Sequence, residues 1–186
     1  MRSHFQQHCV MNLNDRFCVN IETKRFMLRR LTEADASEKY LSWLNDDTSG
    51  RFIQSATVTR SLEDLRGYIR DKSNISNVIF LGVFDKISLE HIGNIKYDDI
   101  NLDRSDAVMG ILIGEVRFRG LGVGPEVITG SANWLRSNLG VSRIHLAVNE
   151  ANTPAIRAYL KTGFVVSSQG TPDPKSNRGI RMHLDL

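Results

Sequence analysis

At 186 residues the chain has the length of one domain, and its composition, 41% hydrophobic and 24% charged, is that of an ordinary globular protein. Wholesale disorder, collagen-like repeats and a pure coiled coil are excluded, and no apolar run reaches the roughly 20 residues a membrane span requires. The net charge of +3 is dispersed, with small clusters at Lys24, Arg25, Arg29, Arg30 and at Arg117, Arg119, which suit an anionic ligand rather than nucleic acid.

Residues 1–20 read as an N-terminal extension and 21–186 as the folded domain. Met1 to Val10 carries His, Gln and Arg in place of the apolar core of a signal peptide, so the expected setting is cytoplasmic. Both cysteines, Cys9 and Cys18, fall in the extension. They make neither a disulfide framework nor a zinc-ligand spacing, so no metal is expected.

Phe26 to Leu31 reads as a strand with Phe26, Leu28 and Arg30 on one face. Thr32-Glu33-Ala34-Asp35 has the form of a capping box, with Asp in the last place, ahead of a helix striped by Ala36, Tyr40, Trp43 and Leu44 and stopped at Asn45-Asp46-Asp47. Ser61 to Asp64 opens a second helix, with Leu62, Leu65 and Ile69 inward. Three strands follow, Val78 to Phe84, His91 to Tyr97 and Ala107 to Ile113, joined by the polar turns Asp85 to Glu90 and Asp98 to Ser105 as an antiparallel meander.

Pro125 to Leu139 then reads as a helix with Val127, Ile128, Ser131, Trp134, Leu135 and Leu139 inward, ended by Gly140. Arg143 to Val148 alternates as a fifth strand. Thr153 before Pro154 looks like the N-cap and first-turn proline of a last helix, striped by Ile156, Tyr159 and Leu160 and closed by Gly163. Phe164 to Ser168 and Ile180 to Leu186 are the closing strands, separated by a loop with Pro172, Asp173, Pro174 and Gly179. The order β-α-α-β-β-β-α-β-α-β-β predicts a single mixed α/β domain.

The stretch from Ile111 to Pro125 carries the chemistry: a strand, the loop Arg119-Gly120-Leu121-Gly122-Val123-Gly124, and a helix start. A helix N-terminus leaves N–H groups unpaired, and glycines let oxygen atoms approach them, so this arrangement suits a phosphate. The Walker pattern is absent. The dinucleotide pattern G-x-G-x-x-G also fails, since its last glycine would fall on Pro125 or Val127. The same residues also make a tight strand-to-helix turn without any ligand, and spacing alone leaves the two open.

Arg119-x-x-Gly122-x-Gly124 resembles the R/Q-x-x-G-x-G/A signature of the GNAT acetyltransferases. A second block, Asn149 to Phe164, is similar to that family's N-x-x-A-x-x-x-Y-x-K-x-G-F segment, with Tyr159, Lys161, Gly163 and Phe164 in place. Leu28 to Asp35 and Tyr40 to Asp46 resemble its RimJ/RimL-like branch, which acetylates protein N-termini, amino sugars and other small amines. The resemblance implies a central, mostly antiparallel mixed sheet, splayed between the fourth and fifth strands, with helices on both faces.

It also implies an N-acetyltransferase whose partners are acetyl-CoA and a primary amine, acting by direct attack. The pyrophosphate would lie against Arg119, Gly120, Leu121, Gly122, Val123 and Gly124. The pantetheine arm would enter the splay, where a bulge frees the backbone groups of Leu112, Ile113 and Gly114. The N–H of Ile113 would stabilise the oxyanion, and Tyr159 would be the general acid for the departing thiolate. Tyr159 equally fits a core tyrosine, and Asn152 fits either a cofactor contact or the helix cap. No general base emerges: Val108 stands where relatives carry Glu, and Asp106, Asp98 and Glu150 are equally readable as surface carboxylates. His145, His91 and His183 read as structural or isolated residues, and Trp43 and Trp134 as core. The acceptor loops, Asp46 to Arg60 and Thr171 to Arg178, carry no motif; Asp46, Asp47 and Glu63 would attract a cationic amine. A monomer or homodimer fits equally. The alternative function is a non-catalytic acyl-CoA-binding module of the same fold.

Overall fold

A computed structural model of the chain describes residues 13, 18–45, 61–167 and 179–186. Among the described residues eight strands form one sheet: β1 (Asn20–Glu22), β2 (Phe26–Arg30), β3 (Ile79–Asp85), β4 (His91–Asn101), β5 (Asp106–Ile113), β6 (Arg143–Asn149), β7 (Val165–Val166) and β8 (Gly179–Asp185). Their order is β1-β2-β3-β4-β5-β6-β8-β7, and every neighbouring pair is antiparallel except β5–β6. The mixed α/β sheet with helices on both faces is therefore as expected. The short β1 is additional, so the predicted fourth and fifth strands are β5 and β6.

Among the described residues four α-helices cover the sheet: α1 (Glu38–Leu44), α2 (Leu62–Asn74), α3 (Val123–Leu139) and α4 (Thr153–Thr162). Local chemistry sets their ends. Ser61 and Asp64 form a capping box at the expected start of α2. The Thr32 box is present too, but it closes a single 3-10 turn, Glu33–Asp35, and α1 is capped separately by Ser37, which accepts from the Tyr40 N–H. Arg29 explains the break, since its guanidinium takes both carboxylate oxygens of Asp35 at 2.6 and 2.9 Å and ties that turn to β2. The cap of α4 is Asn152, not Thr153: its Oδ1 accepts from the Ala155 N–H.

Two apolar layers hold the sheet. On one face Phe26, Leu28, Val83 and Tyr97 meet Val127, Ile128 and Leu135 of α3. The Tyr97 hydroxyl and Ser131 Oγ hydrogen bond there at 2.8 Å, and Ser131 donates in turn to the Val127 carbonyl, so a buried polar pair joins β4 to α3. On the other face Tyr40, Trp43 and Leu44 of α1 and Leu65 and Ile69 of α2 pack on Leu31, Phe80 and Leu112. That second cover lies over β2 to β5. Beyond it Arg143, Ala147 and Arg181, on β6 and β8, are exposed.

The strands run longer than hydropathy alone indicates. β4 continues to Asn101 through a register shift between Asp98 and Asn101, where Asp99 takes a φ of 48°. Polar residues fill this end because the pairing to β5 is made by backbone, which hydropathy does not report. α3 begins at Val123, two residues before Pro125, because Gly122 serves as its cap at φ 75°. Cys18 is exposed; Cys9, Asp46, Asp47, Pro172, Asp173 and Pro174 lie outside the described residues.

Candidate active site

Between β5 and α3 the chain makes a 3-10 turn, Val116–Phe118, and then the glycine loop. Gly120 and Gly122 both sit at φ 75°, a conformation that L side chains rarely adopt. The first hydrogen bond of α3 runs from the Glu126 N–H to the Gly122 carbonyl. The N–H groups of Gly120, Leu121, Gly122, Val123 and Gly124 have no backbone acceptor among the described residues, while that of Arg119 is taken by the Val116 carbonyl. A Cβ on Gly120 or Gly124 would meet nothing within 4 Å, so the ground in front of these donors is open. This is an anion cradle made of backbone.

The Arg119 side chain does not reach over that cradle. Its Nε donates to the Ile113 carbonyl at 2.9 Å and its Nη2 to the Gly114 carbonyl at 2.8 Å, which fastens the loop to the end of β5. A second clamp escaped the sequence analysis. Arg25 Nη1 donates to the Leu121 carbonyl at 3.0 Å, and Arg25 Nε pairs with Glu126 at 2.7 Å. Arg25 and Glu126 are about a hundred residues apart, and nothing local in sequence marks them as partners.

β5 and β6 pair only through Asp106↔Arg143, Ala107↔Ile144 and Val108↔His145. Beyond Val108 the two strands part, so β5 presents one edge of its ladder to a gap. The β4–β5 register decides which residues face it. The Gly114 N–H donates to the Ile92 carbonyl, and bonding pairs alternate in an antiparallel ladder. Gly114, Leu112 and Gly110 therefore turn their backbone groups to β4, while Ile113, Ile111 and Met109 turn theirs to the gap. Of the three residues expected to offer backbone groups, Ile113 does so. Leu112 and Gly114 do not: Leu112 buries its side chain under α1, and a Cβ on Gly114 would overlap the Trp43 ring. The Gly114 and Glu115 N–H groups both reach the Ile92 carbonyl, two residues opposite one, which is the pattern of a bulge just past β5.

Tyr159 lies on α4, its ring 5.6 Å from Phe164, and burial pushes its phenol up to about 12. It stays protonated throughout the neutral range. Asn152, with its carbonyl oxygen spent on the cap, keeps its amide N–H groups for any second contact.

On the face covered by α1 and α2, Asp98, Val108, His145 and His183 stand side by side on β4, β5, β6 and β8, by the pairings Asp98↔Val108, Val108↔His145 and His145↔His183. Asp98 pairs with Lys96 at 2.8 Å and Lys72 at 3.4 Å, Asp106 pairs with Arg104 at 3.1 Å, and Glu150 is exposed. None of the carboxylates weighed as a base is a free neighbour of Val108. Glu63 is exposed beside Arg66. His183 is not isolated: its Nδ1 lies 3.0 Å from Ser167 Oγ, and its ring centre is 6.5 Å from that of His145, whose Nε2 is 3.7 Å from Asp106. Alternation puts both histidines on outward positions, but only the β6–β8 register brings them together.

Comparison with known proteins gives the geometry its family. A model of the acetyltransferase (GNAT) domain matches residues 25–165. The chain belongs to the GNAT acetyltransferases. This GNAT chain is 22% identical, over 135 residues, to an N-acetyltransferase 9-like protein of Caenorhabditis briggsae, covering 68% of each. Its fold is similar to the ribosomal-protein-S5-alanine acetyltransferase of Vibrio fischeri, with a TM-score of 0.72 at 15% identity over 90% of this chain and 96% of the other. It is also similar to the microcin C7 self-immunity acetyltransferase MccE, solved in complex with acetyl-CoA and AMP, with a TM-score of 0.73 at 14% identity over 88% and 93% of the two chains. Among the described residues no helix is long and apolar enough to cross a membrane.

Proposed function

We propose that this GNAT chain is an acetyl-CoA-dependent N-acetyltransferase acting on a primary amine, a small molecule such as an amino sugar or a protein N-terminus, by direct attack. The observation that carries the proposal is the parting of β5 and β6 after Val108, which leaves the Ile113 N–H facing a gap whose far end is the open N–H cradle at Gly120 to Gly124. Acetyl-CoA would supply an activated thioester and a pyrophosphate.

The donors from Gly120 to Gly124 hold the pyrophosphate, with Arg119 and Arg25 keeping the loop in shape. The Ile113 N–H faces the thioester oxygen and becomes a stronger partner as negative charge builds there. The amine nitrogen forms its bond to the carbonyl carbon, the carbon–sulfur bond breaks, and Tyr159 gives its proton to the sulfur. The amine loses one proton to solvent, and the phenolate recovers one from it, so protons balance. The products are an amide and a free thiol.

Calorimetric titration with acetyl-CoA tests the cradle, with ATP and NAD as controls. Micromolar binding of acetyl-CoA alone is expected, and no binding would end the proposal. Acetyl-CoA binding without transfer to any amine would favour the alternative, a non-catalytic acyl-CoA-binding module. One observation supports that alternative: Val108 is flanked by a carboxylate already held by two lysines.

A further inference from the structure

The acceptor's own charge is legible on the exposed part of the sheet. A cleft of about 630 Å³ opens over β6 and β8, with Val108 and Ala147 in its floor and Arg143, His145, Arg181 and His183 around it. Among the described residues the carboxylates near it are already engaged by other cations. Asp185 takes Arg143, Asp106 takes Arg104, and Asp98, across β5, takes Lys96. Arg181 is exposed in the cleft; its carbonyl accepts from the Ser167 N–H, and among the described residues its guanidinium has no carboxylate partner.

A solitary surface arginine is ordinary. This one stands beside small residues. Arg181 pairs with Ala147 on β6, and Gly110, two beyond Val108 where β5 has left β6, is a position at which a Cβ would meet nothing within 4 Å. Gly110 is three residues from Ile113, so at about 3.3 Å per residue it lies roughly 10 Å along β5 from the N–H proposed to face the thioester.

We propose that the acceptor is a primary amine that also carries an oxyanion, a carboxylate or a phosphate, and that Arg181 binds this group in the cleft while the amine reaches the gap beside Ile113. The proposal rests on the acetyltransfer described above. The fork of N–H donors on Arg181 matches either oxyanion with two parallel hydrogen bonds. His183, its Nδ1 engaged with Ser167, and His145 add polar wall on the same side. A polyamine would bring a second ammonium against the Arg181 guanidinium and is disfavoured.

Initial rates with acetyl-CoA test this on two matched pairs: the amidated peptides Ser-Gly-Glu-Gly and Ser-Gly-Gln-Gly, and glucosamine 6-phosphate with glucosamine. The expected result at low salt is a kcat/KM higher by roughly tenfold or more for the anionic member of one pair, the scale of a charge-assisted hydrogen bond. The responding pair identifies the source of the oxyanion. Arg181→Gln should bring that ratio to about one with acetyl-CoA affinity unchanged, and Arg181→Glu should invert it. Equal rates within both pairs, or a preference that survives Arg181→Gln, overturns the proposal. If no amine is acetylated, calorimetry of the same four compounds separates the two ideas. Anion-dependent binding lost in Arg181→Gln keeps the subsite and ends acetyl transfer, whereas binding blind to the anion ends the subsite.

Discussion

The two ends of the gap between β5 and β6 are built from different materials. At the α3 end the donors are backbone N–H groups, held by glycines at positive φ and fastened by Arg119 and Arg25. At the β6–β8 end the groups are side chains, His145, Arg181 and His183, set beside one another by strand pairing. A backbone site depends on local conformation, so it is encoded in a short run of residues. A side-chain site depends on which strands are neighbours and in what register, so its residues are scattered and free to vary. The first end suits what every reaction of this kind shares, and the second suits what differs from one acceptor to the next.

That contrast can be broken in several places. The largest effect is expected from Tyr159→Phe, which should lower kcat by about 10²- to 10⁴-fold, the range for loss of a general acid, while calorimetry shows acetyl-CoA binding nearly unchanged. Equal turnover would return Tyr159 to the core.

Next comes a test beneath α1. His91 is enclosed by Phe84, Tyr40 and Trp43 with ring centres 4.9 to 5.2 Å away, and burial lowers it to about 4 from 6.5, with Asp35 pulling the other way. Its folded value is depressed, so the unfolded chain takes up the proton first. Stability should be constant above pH 6.5 from this source and fall as pH drops toward about 4, by on the order of 3 kcal/mol. Melting temperatures at pH 7 and 4.5 would check this, and in His91→Leu that part of the acid sensitivity should vanish. An unchanged acid profile would mean the imidazole is protonated in place.

Gly122→Val should strain the cradle by about 1–3 kcal/mol, because a β-branched residue is forced to positive φ. A fall in acetyl-CoA affinity of about tenfold or more, with only a modest loss of melting temperature, would place the strain at the site rather than in the fold. The smallest effect should come from Tyr97→Phe, which removes one buried hydrogen bond to Ser131 at a cost of about 1 kcal/mol, read by denaturant unfolding, and leaves both ends of the gap intact.

Much of the fold was legible because its signals are local. The start of α2 at Ser61, the stripes of α2 and α3, and the glycines at 140 and 163 stand where expected. Asn152, read as cap or cofactor contact, takes the cap, leaving the second role open. Three features were not legible. Thr32 and Asp35 form a box without starting a helix, because Arg29 from β2 captures Asp35. Leu112 and Gly114 turn from the gap, because ladder parity belongs to the β4–β5 pairing and not to either strand alone. His183 looked isolated only because His145 is 38 positions away in the chain.

The sequence by itself determined the mixed α/β class, the glycines that end α3 and α4 and the glycine-loop motif, since each follows from the conformational preferences of a few consecutive residues. Tertiary structure alone decided that β5 and β6 part after Val108, that the Ile113 backbone turns away from β4, and that Arg181 pairs with Ala147 with no carboxylate partner among the described residues. Those facts are relations between strands, and a hydrogen-bonded register is a property of the pair.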